Sequence, residues 1–245
     1  MLMITGTTAH DIAKETSACR PYLFEDPARA KAVVDLSSSA LSETLCKSWF
    51  HVKRGNESQR KRALLLGTLN ETGIVAQLRK MTFVDAVFDI GLVQKKGRPG
   101  LGVSADGIII IRPPNSLSYA ERVVAPLEIK TKVASRTLSE SSHLGRKYGI
   151  YVHCIVGSPA WFDLVPKEHR GQLLHQASVF DVPFGVYCVG STRKIMYVVL
   201  IQYPAHVRAK WLSAFEDVER RFLNWAYVDS SGSEAPSIPE YYTSG

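Results

Sequence analysis

The chain has 245 residues, of which 45% are hydrophobic and 22% are charged, as is usual for a folded α/β protein with a substantial core. Thirty Lys and Arg residues outnumber 23 Asp and Glu residues, and the resulting net charge of +7 favours polyanionic partners. No apolar run is long enough to span a membrane, the first residues lack the basic and apolar pattern of a secretory leader, and the four cysteines lack zinc-site spacing, so we expect an intracellular protein, cytoplasmic or nuclear, without a membrane partner.

Two helices are predicted in the first third of the chain. Residues 1–30 show little hydrophobic periodicity, and we expect them to form a flexible or wrapping N-terminal arm. Apolar residues recur at helical spacing over 41–49, where the serines at 37–39 can cap a helix. A second helix is predicted over 57–78, and Glu71 lies in its second half.

Glu71 has two interpretations. A glutamate on a helix is ordinarily exposed to solvent. Here Gly67, four residues earlier, would let a backbone or a ligand approach the helix closely. This spacing favours a carboxylate that faces a functional site.

Three strands are predicted next, over residues 83–94, 101–112 and 122–133. Four consecutive isoleucines, Ile108–Ile111, indicate a strand that is buried on both faces. A turn rich in Pro, Asn and Ser follows at 113–116, so the second and third of these strands are predicted to pair as a hairpin.

The hairpin carries a candidate metal site. Side chains two residues apart in a strand share a face, so Glu128 and Lys130 project together while Leu127 and Ile129 face the core. Asp106 stands at the head of the preceding strand, from which both carboxylates can reach one ion. Mg²⁺ is typically held by one or two carboxylates, and a nearby lysine can orient or deprotonate a water. The E-x-K pattern by itself occurs by chance on many exposed strands.

The second half of the chain is predicted to mix strands and helices. The run at 147–156 resembles a strand but has no assigned role. A helix is predicted over 166–180, with Asp163 as its cap. Gln172 and Gln176 share one face of this helix. The pair is either exposed to solvent or hydrogen-bonded to a water or a phosphate.

The C-terminal third is predicted to contain two paired strands, 184–189 and 195–201, and a final helix. Residues 229–245 are rich in Ser, Gly and Pro and are expected to be a flexible tail. The final helix carries an apolar stripe that predicts core packing: Val207, Trp211, Phe215, Val218, Phe222 and Trp225.

Basic residues recur around the candidate site. One cluster at 95–98 leads into the hairpin, and another at 130–136 leads out of it. A single cluster of this kind is most often a solvated surface, but the recurrence favours a nucleic-acid substrate. Arg98, Lys132 and Arg136 are therefore predicted to bind substrate.

Four short motifs resemble a known family when they are taken in order. They are Gly67 to Glu71 (GTLNE), Leu101 to Gly107 (LGVSADG), Leu127 to Lys130 (LEIK) and His169 to Gln176 (HRGQLLHQ). This series resembles the PD-(D/E)xK nuclease superfamily, in particular its lambda-exonuclease-like branch, the YqaJ-type viral recombinases. That branch shows G-x-x-x-E, LG-x-SPDG, E-(I/L)-K and Y-x-x-Q-x-Q. The chain departs from the pattern at Ala105, His169 and Leu174.

The resemblance implies a restriction-endonuclease-like α/β core over residues 31–228, with a mixed central β-sheet flanked by helices. It implies that Asp106, Glu128 and the Ile129 carbonyl hold Mg²⁺ or Mn²⁺, that Lys130 positions the attacking water, and that Glu71 supports the metal. Gln172 and Ser104 would orient water or phosphate.

The same resemblance implies exonucleolytic degradation of duplex DNA from a 5′ end, a homo-oligomer and a strand-annealing protein partner. A non-catalytic nucleic-acid-binding module and an endonuclease of the same superfamily are the alternatives.

Overall fold

Within the described residues, six strands of the computed structural model form one mixed sheet in the order β1-β4-β5-β7-β8-β6. The described residues are 20–23, 25, 69–98, 100–113, 122–131 and 143–216. Strand β5 pairs antiparallel with β4 and parallel with β7, and β8 pairs antiparallel with β7 and parallel with β6. These strands are β1 (Val84–Phe88), β4 (Gly107–Ile111), β5 (Val123–Thr131), β6 (Tyr151–Ile155), β7 (Phe184–Gly190) and β8 (Ile195–Gln202).

A two-stranded sheet and several helices accompany the main sheet. The small sheet pairs β2 (Leu92–Gln94) with β3 (Gly102–Ser104) in antiparallel fashion. The expected mixed central sheet flanked by helices is confirmed. The helices are α1 (Arg20–Leu23), α2 (69–78), α3 (143–148), α4 (Pro159–Leu164), α5 (Lys167–Phe180) and α6 (Ala205–Ala214).

The two faces of the main sheet bury separate hydrophobic clusters. Ile74 and Leu78 of α2 join an aliphatic cluster that contains Leu127 and Ile129. The other face packs against α5 and α6 and contains more aromatic side chains, among them the fully buried Trp211. Helices α2 and α5 therefore belong to opposite faces of the sheet. None of the helices that the structure describes has the length and apolar character needed to cross a membrane.

The predicted hairpin is confirmed. Strands β4 and β5 pair in the register Gly107 with Leu127 and Ile111 with Val123. The strand pair β7 and β8 is also confirmed. The run at 147–156, for which the sequence indicated no role, supplies the edge strand β6.

Two predicted strands are each divided in the structure. The strand predicted over 83–94 is interrupted after Phe88, so its halves, β1 and β2, join different sheets. The strand predicted over 101–112 is interrupted at Ala105 and Asp106, between β3 and β4. In both cases the two halves of the predicted strand pair with different strands, which hydrophobic periodicity alone does not reveal.

The predicted cap of α5 is wrong. Asp163 lies inside the short helix α4, where its carboxylate accepts a hydrogen bond from Lys147 Nζ at 2.8 Å. Helix α5 instead begins directly after Pro166 and has no side-chain cap. Pro166 is suited to this place because its fixed φ and missing N–H cost nothing at a helix start.

Part of the predicted N-terminal arm packs on the core. Leu23 is buried, and its carbonyl accepts a hydrogen bond from Arg170 at 2.7 Å. The Trp161 indole N–H donates to the carbonyl of Tyr22 at 3.0 Å. Residues 20–23 therefore pack on the core. Apart from residue 25, the remainder of the arm lies outside the described residues, as do the helix predicted near 41–49 and the predicted tail.

Candidate active site

Strand β5 divides its side chains between the core and the candidate site. Leu127 and Ile129 enter the aliphatic cluster on the α2 side. Glu128 pairs across the sheet with Tyr187 of β7, which belongs to the cluster beneath α5. Glu128 is only 2% exposed, whereas 28% of the Lys130 side chain is exposed. The predicted alternation is confirmed, with the carboxylate deep in the protein and the amine nearer the surface.

Asp106 lies immediately before β4 and bonds to β5 with both its backbone and its side chain. Its backbone N–H donates to the Leu127 carbonyl at 3.0 Å, and its Oδ2 accepts the N–H of Ile129 at 2.6 Å. The Asp106 side chain thus satisfies the Ile129 N–H, which has no partner in β4 because the pairing of β4 with β5 begins at Gly107 and Leu127. Gly107 follows because a Cβ there would lie 2.8 Å from the Phe88 carbonyl oxygen of β1. This turn places the Asp106 carboxylate beside the end of β5.

Three donors hold the Glu128 carboxylate. Lys130 Nζ lies 2.5 Å from Oε1, and Gln172 Nε2 donates to the same oxygen at 2.8 Å. Gln176 Nε2 donates to Oε2 at 2.6 Å. The two glutamines lie one turn apart on α5 and therefore reach the carboxylate from the same side. Because both carboxylate oxygens are engaged, the orientation of Glu128 is fixed.

Gln176 is missing from the site residues expected from the sequence. The pair of glutamines was expected to be either solvent-exposed or bound to water or phosphate, but Gln176 is fully buried and donates to a carboxylate. Within the described residues its Oε1 has no hydrogen-bond partner. The four-residue spacing from Gln172 was the available signal, because a residue one helical turn away shares the same face.

Burial raises the pKa of each of the three carboxyl groups. For Glu128 the neighbouring Asp106 raises the pKa further, and Lys130 opposes the rise. For Asp106 the Ile129 N–H and Lys130 oppose the rise. The pKa of Glu71 is raised by burial and then by Asp106, so this carboxyl lies within electrostatic reach of the site. When all three carboxyl groups are ionised, they exceed the single ammonium by two negative charges, which one divalent cation would balance.

The donor set suits a hard divalent ion. The backbone N–H and C=O of one strand residue point toward the same neighbouring strand. The Ile129 carbonyl therefore faces the same side as the Ile129 N–H, which donates to Asp106. Two carboxylates and this carbonyl are the oxygen ligands that Mg²⁺ and Mn²⁺ accept. Within the described part of the chain, no three Asp, Glu, His or Cys side chains converge as a complete metal centre. An ion held here would complete its shell with water and substrate oxygens, as Mg²⁺ commonly does.

The two histidines near the site make structural contacts. His169 Nδ1 lies 2.8 Å from the hydroxyl of the buried Tyr187. His175 is buried, with Nε2 at 3.1 Å from the Gly102 carbonyl and Nδ1 accepting from the Trp211 indole at 3.3 Å. A ring that faces a carbonyl on one nitrogen and a donor on the other is the neutral Nε2–H tautomer.

The residues predicted to bind substrate have different surroundings. Arg98 is half-buried and donates to the Leu212 carbonyl in the last turn of α6 at 3.1 Å. Lys95 donates to the Ser178 carbonyl near the end of α5 at 3.0 Å. Cations in these positions are favoured by the partial negative charge at helix C-termini, and the Leu212 carbonyl also accepts the Phe215 N–H. Ser104 is exposed two residues before Asp106. Lys132 and Arg136 lie outside the described residues, as does Gly67.

No protein-family model and no curated protein matches the chain. Among solved structures, the chain is similar to two crystal structures of LHK-Exo, described as an alkaline exonuclease from Laribacter hongkongensis. In each case 94% of both chains is covered and the TM-score is 0.47. The identity is 12% to the complex with dAMP and 14% to the other structure. Such a distant likeness does not bear on function, which has to be inferred from the residues of the site.

Proposed function

We propose that the protein is a metal-dependent nuclease that hydrolyses the phosphodiester bonds of DNA. The observation that carries the proposal is the convergence of Asp106, Glu128 and Lys130 at one end of β5, with Glu71 within electrostatic reach. The order of the sequence motifs supports the same function. By that resemblance the enzyme is an exonuclease that starts from a 5′ end of duplex DNA.

Asp106, Glu128 and the Ile129 carbonyl would hold Mg²⁺ or Mn²⁺. When bound, the ion would lower the pKa of a coordinated water and offset the charge of the scissile phosphate. The protein fixes Glu128 in advance through Lys130, Gln172 and Gln176. A carboxylate that is already oriented does not need to reorganise when the substrate arrives.

Lys130 would act on the attacking water and the phosphate. Its ammonium is paired with Glu128 but remains partly exposed, so its other N–H groups can donate to a water oxygen or a phosphate oxygen. Hydrolysis forms a bond from the water oxygen to phosphorus and breaks one P–O ester bond. A proton from the water passes to the departing oxygen. Gln172 is half-buried and can orient the water with its second N–H, and Glu71 would support the charge of the ion.

The test is Mg²⁺-dependent release of nucleotides from end-labelled duplex DNA. We expect the full chain to release nucleotides with Mg²⁺ but not with EDTA, and Lys130→Ala to lose at least about 10²-fold in rate, the usual effect of losing a positioned proton donor. Lys80→Ala is the matched control, because Lys80 is exposed just after α2 and leaves the site intact.

Other outcomes of this assay identify the alternatives. Binding of DNA without turnover by the native chain would contradict the proposal and favour a non-catalytic binding module. Nicking of closed circular DNA, which has no ends, would favour an endonuclease. The sequence resemblance also implies a homo-oligomer and a strand-annealing partner, and analytical ultracentrifugation of the full chain tests the first of these.

A further inference from the structure

The turn between β7 and β8, residues 191–194, lies at the same end of the sheet as the candidate site. Strands β5 and β7 run parallel, with Lys130 opposite Val189 and Thr131 opposite Gly190. The chain therefore leaves β7 beside the end of β5 that carries Lys130. The sequence of the turn is Ser-Thr-Arg-Lys, with Arg193 and Lys194 as its last two residues.

Hydrogen bonds within the turn fix its shape. The Ser191 N–H donates to the Lys194 carbonyl at 2.9 Å, and the Lys194 N–H lies 3.3 Å from the Ser191 carbonyl. The Ser191 hydroxyl oxygen also accepts from the N–H groups of Arg193 and Lys194, each at 3.3 Å. Serine hydroxyls stabilise tight turns in this way. The turn therefore presents Arg193 and Lys194 from a defined backbone.

Helix α2 braces the turn and also carries Glu71. Gln77 Nε2 donates to the Ser191 carbonyl at 2.9 Å. A Cβ on Gly73 would lie 3.1 Å from the Thr192 methyl carbon, so the helix and the turn are in close contact. Gly73 is two residues after Glu71 on this helix. The turn and the third carboxylate of the site are thus held by one element.

Arg193 and Lys194 are available to a ligand. Both residues are exposed, and within the described part of the chain neither side chain has a hydrogen-bond or ion-pair partner. Lys95 and Arg98 differ, because they donate to the carbonyls of helices α5 and α6. The excess negative charge of the site would repel phosphates that do not contact the ion. Exposed cations at the same end of the sheet would reduce that repulsion.

We propose that Arg193 and Lys194 bind backbone phosphates of the nucleic acid next to the scissile bond. The inference rests on the proposed nuclease function and specifies where the substrate strand lies. An arginine fork matches two phosphate oxygens, and a lysine supplies a flexible point charge. Because the contacts are to the backbone, they position the strand without reading its sequence.

The test compares the native full chain with the double variant R193Q/K194Q. Binding to a fluorescein-labelled DNA duplex is measured by anisotropy at several salt concentrations, with Ca²⁺ in place of Mg²⁺ to prevent turnover. Loss of two phosphate contacts should lower the slope of log K against log salt by about 1.8, since each contact contributes about 0.9. In cleavage assays with Mg²⁺, KM should rise while kcat stays unchanged. Mn²⁺ affinity in the absence of DNA should also stay unchanged.

The matched control is K80Q/K210Q, which removes the same charge from two exposed residues outside the turn. We expect its salt slope to equal that of the native chain. An unchanged slope in R193Q/K194Q, or an equal loss in both double variants, would overturn the inference while leaving the nuclease proposal standing. If the native chain binds no duplex DNA at all, the proposed function and the inference both fail.

Discussion

The two faces of strand β5 bury side chains of opposite chemistry to the same extent. Ile129 and Glu128 are each 2% exposed. Burial of an aliphatic side chain contributes about 1.5–3 kcal/mol to stability, whereas removal of a carboxylate from water costs several kcal/mol. The Glu128 face therefore needs Lys130 and two glutamines, and the Ile129 face needs only close packing. Depth of burial alone does not separate core from site, but the partners of each buried group do.

The largest expected effect is loss of activity on the charged face without loss of the fold. Asp106→Asn keeps an oxygen that can accept the Ile129 N–H but removes one charge from the proposed ion site. We expect the cleavage rate to fall about 10³-fold, since a bound ion supplies several kcal/mol of charge stabilisation. Nucleotide release from end-labelled DNA measures this loss. Retention of more than a tenth of the native rate would contradict the assignment of Asp106.

A substitution on the opposite face of β5 should lower the stability of the fold without loss of activity. Leu127→Ala removes a fully buried side chain from the aliphatic cluster and should lower the free energy of unfolding by about 2–5 kcal/mol. Urea denaturation measures the change. The cleavage rate per folded molecule should stay within a few-fold of native. Val124→Ala is the control on the same strand, because Val124 is 51% exposed and should cost less than about 0.5 kcal/mol. Equal losses for the two variants would remove the distinction between the faces.

Substitution of Gln176 tests whether ion binding depends on the buried side chains that donate to Glu128. Gln176→Met keeps the approximate volume and removes the hydrogen bond to Glu128 Oε2. Loss of a group that orients a metal ligand typically weakens metal affinity about 10–100-fold. We expect such a change in Mn²⁺ affinity, measured by titration calorimetry, and recovery of cleavage at high Mg²⁺.

Ser178→Ala is the matched control for Gln176→Met. It removes a buried hydroxyl from the same helix, where the hydroxyl donates to the Leu174 carbonyl and does not contact Glu128. Mn²⁺ affinity should be native in this variant. Equal weakening in both variants would mean that helix stability, and not the orientation of Glu128, sets the affinity.

The smallest expected effect is on how stability depends on pH. Burial raises the pKa of Asp106 from its ordinary 3.8. The contribution of such a group to folding is full below pH 3.8 and is lost as the pH rises through the raised value. In EDTA, Asp106→Asn should therefore become more stable relative to the native chain as the pH rises. Unfolding midpoints measured across the acidic and neutral range test this expectation.

Asp163→Asn should show the opposite trend. The hydrogen bonds from Lys147 and Tyr148 lower the pKa of Asp163, so its contribution is present above its ordinary pKa and lost as the pH falls through the lowered value. This variant should therefore lose stability relative to native toward neutral pH.

For Asp106→Asn, the stability difference from the native chain should vary with pH. A difference that stays constant would contradict the burial of a charged carboxylate at Asp106.

The alternation of side chains between the two faces of β5, and the pairing of β5 with β4, could be predicted from the sequence. Strand periodicity of two fixes which side Glu128 and Lys130 share, and a short turn after four isoleucines indicates a hairpin. These two local rules were sufficient to predict that Asp106 lies at the same end of the sheet as Glu128 and Lys130. The helix over 166–180 followed equally from local signals, because its proline marks the start.

Other features depend on contacts between distant segments. The division of 83–94 into two strands arises because each half pairs with a different partner. Arg98 is near the hairpin in sequence, but it meets the end of α6, more than 100 residues later. Gln176 gains its role only because α5 lies over β5. In each case the sequence gives the residue type, whereas packing of separate elements decides the partner.

The most direct test is a crystal structure of the full chain soaked with Mn²⁺, in which anomalous density locates the ion. The account predicts a peak bound by carboxylate oxygens of Asp106 and Glu128 and by the Ile129 carbonyl. The Lys130 amine should lie nearby without contacting the ion. A map without a peak between the two carboxylates, at a Mn²⁺ concentration that supports cleavage, would contradict the proposed metal site.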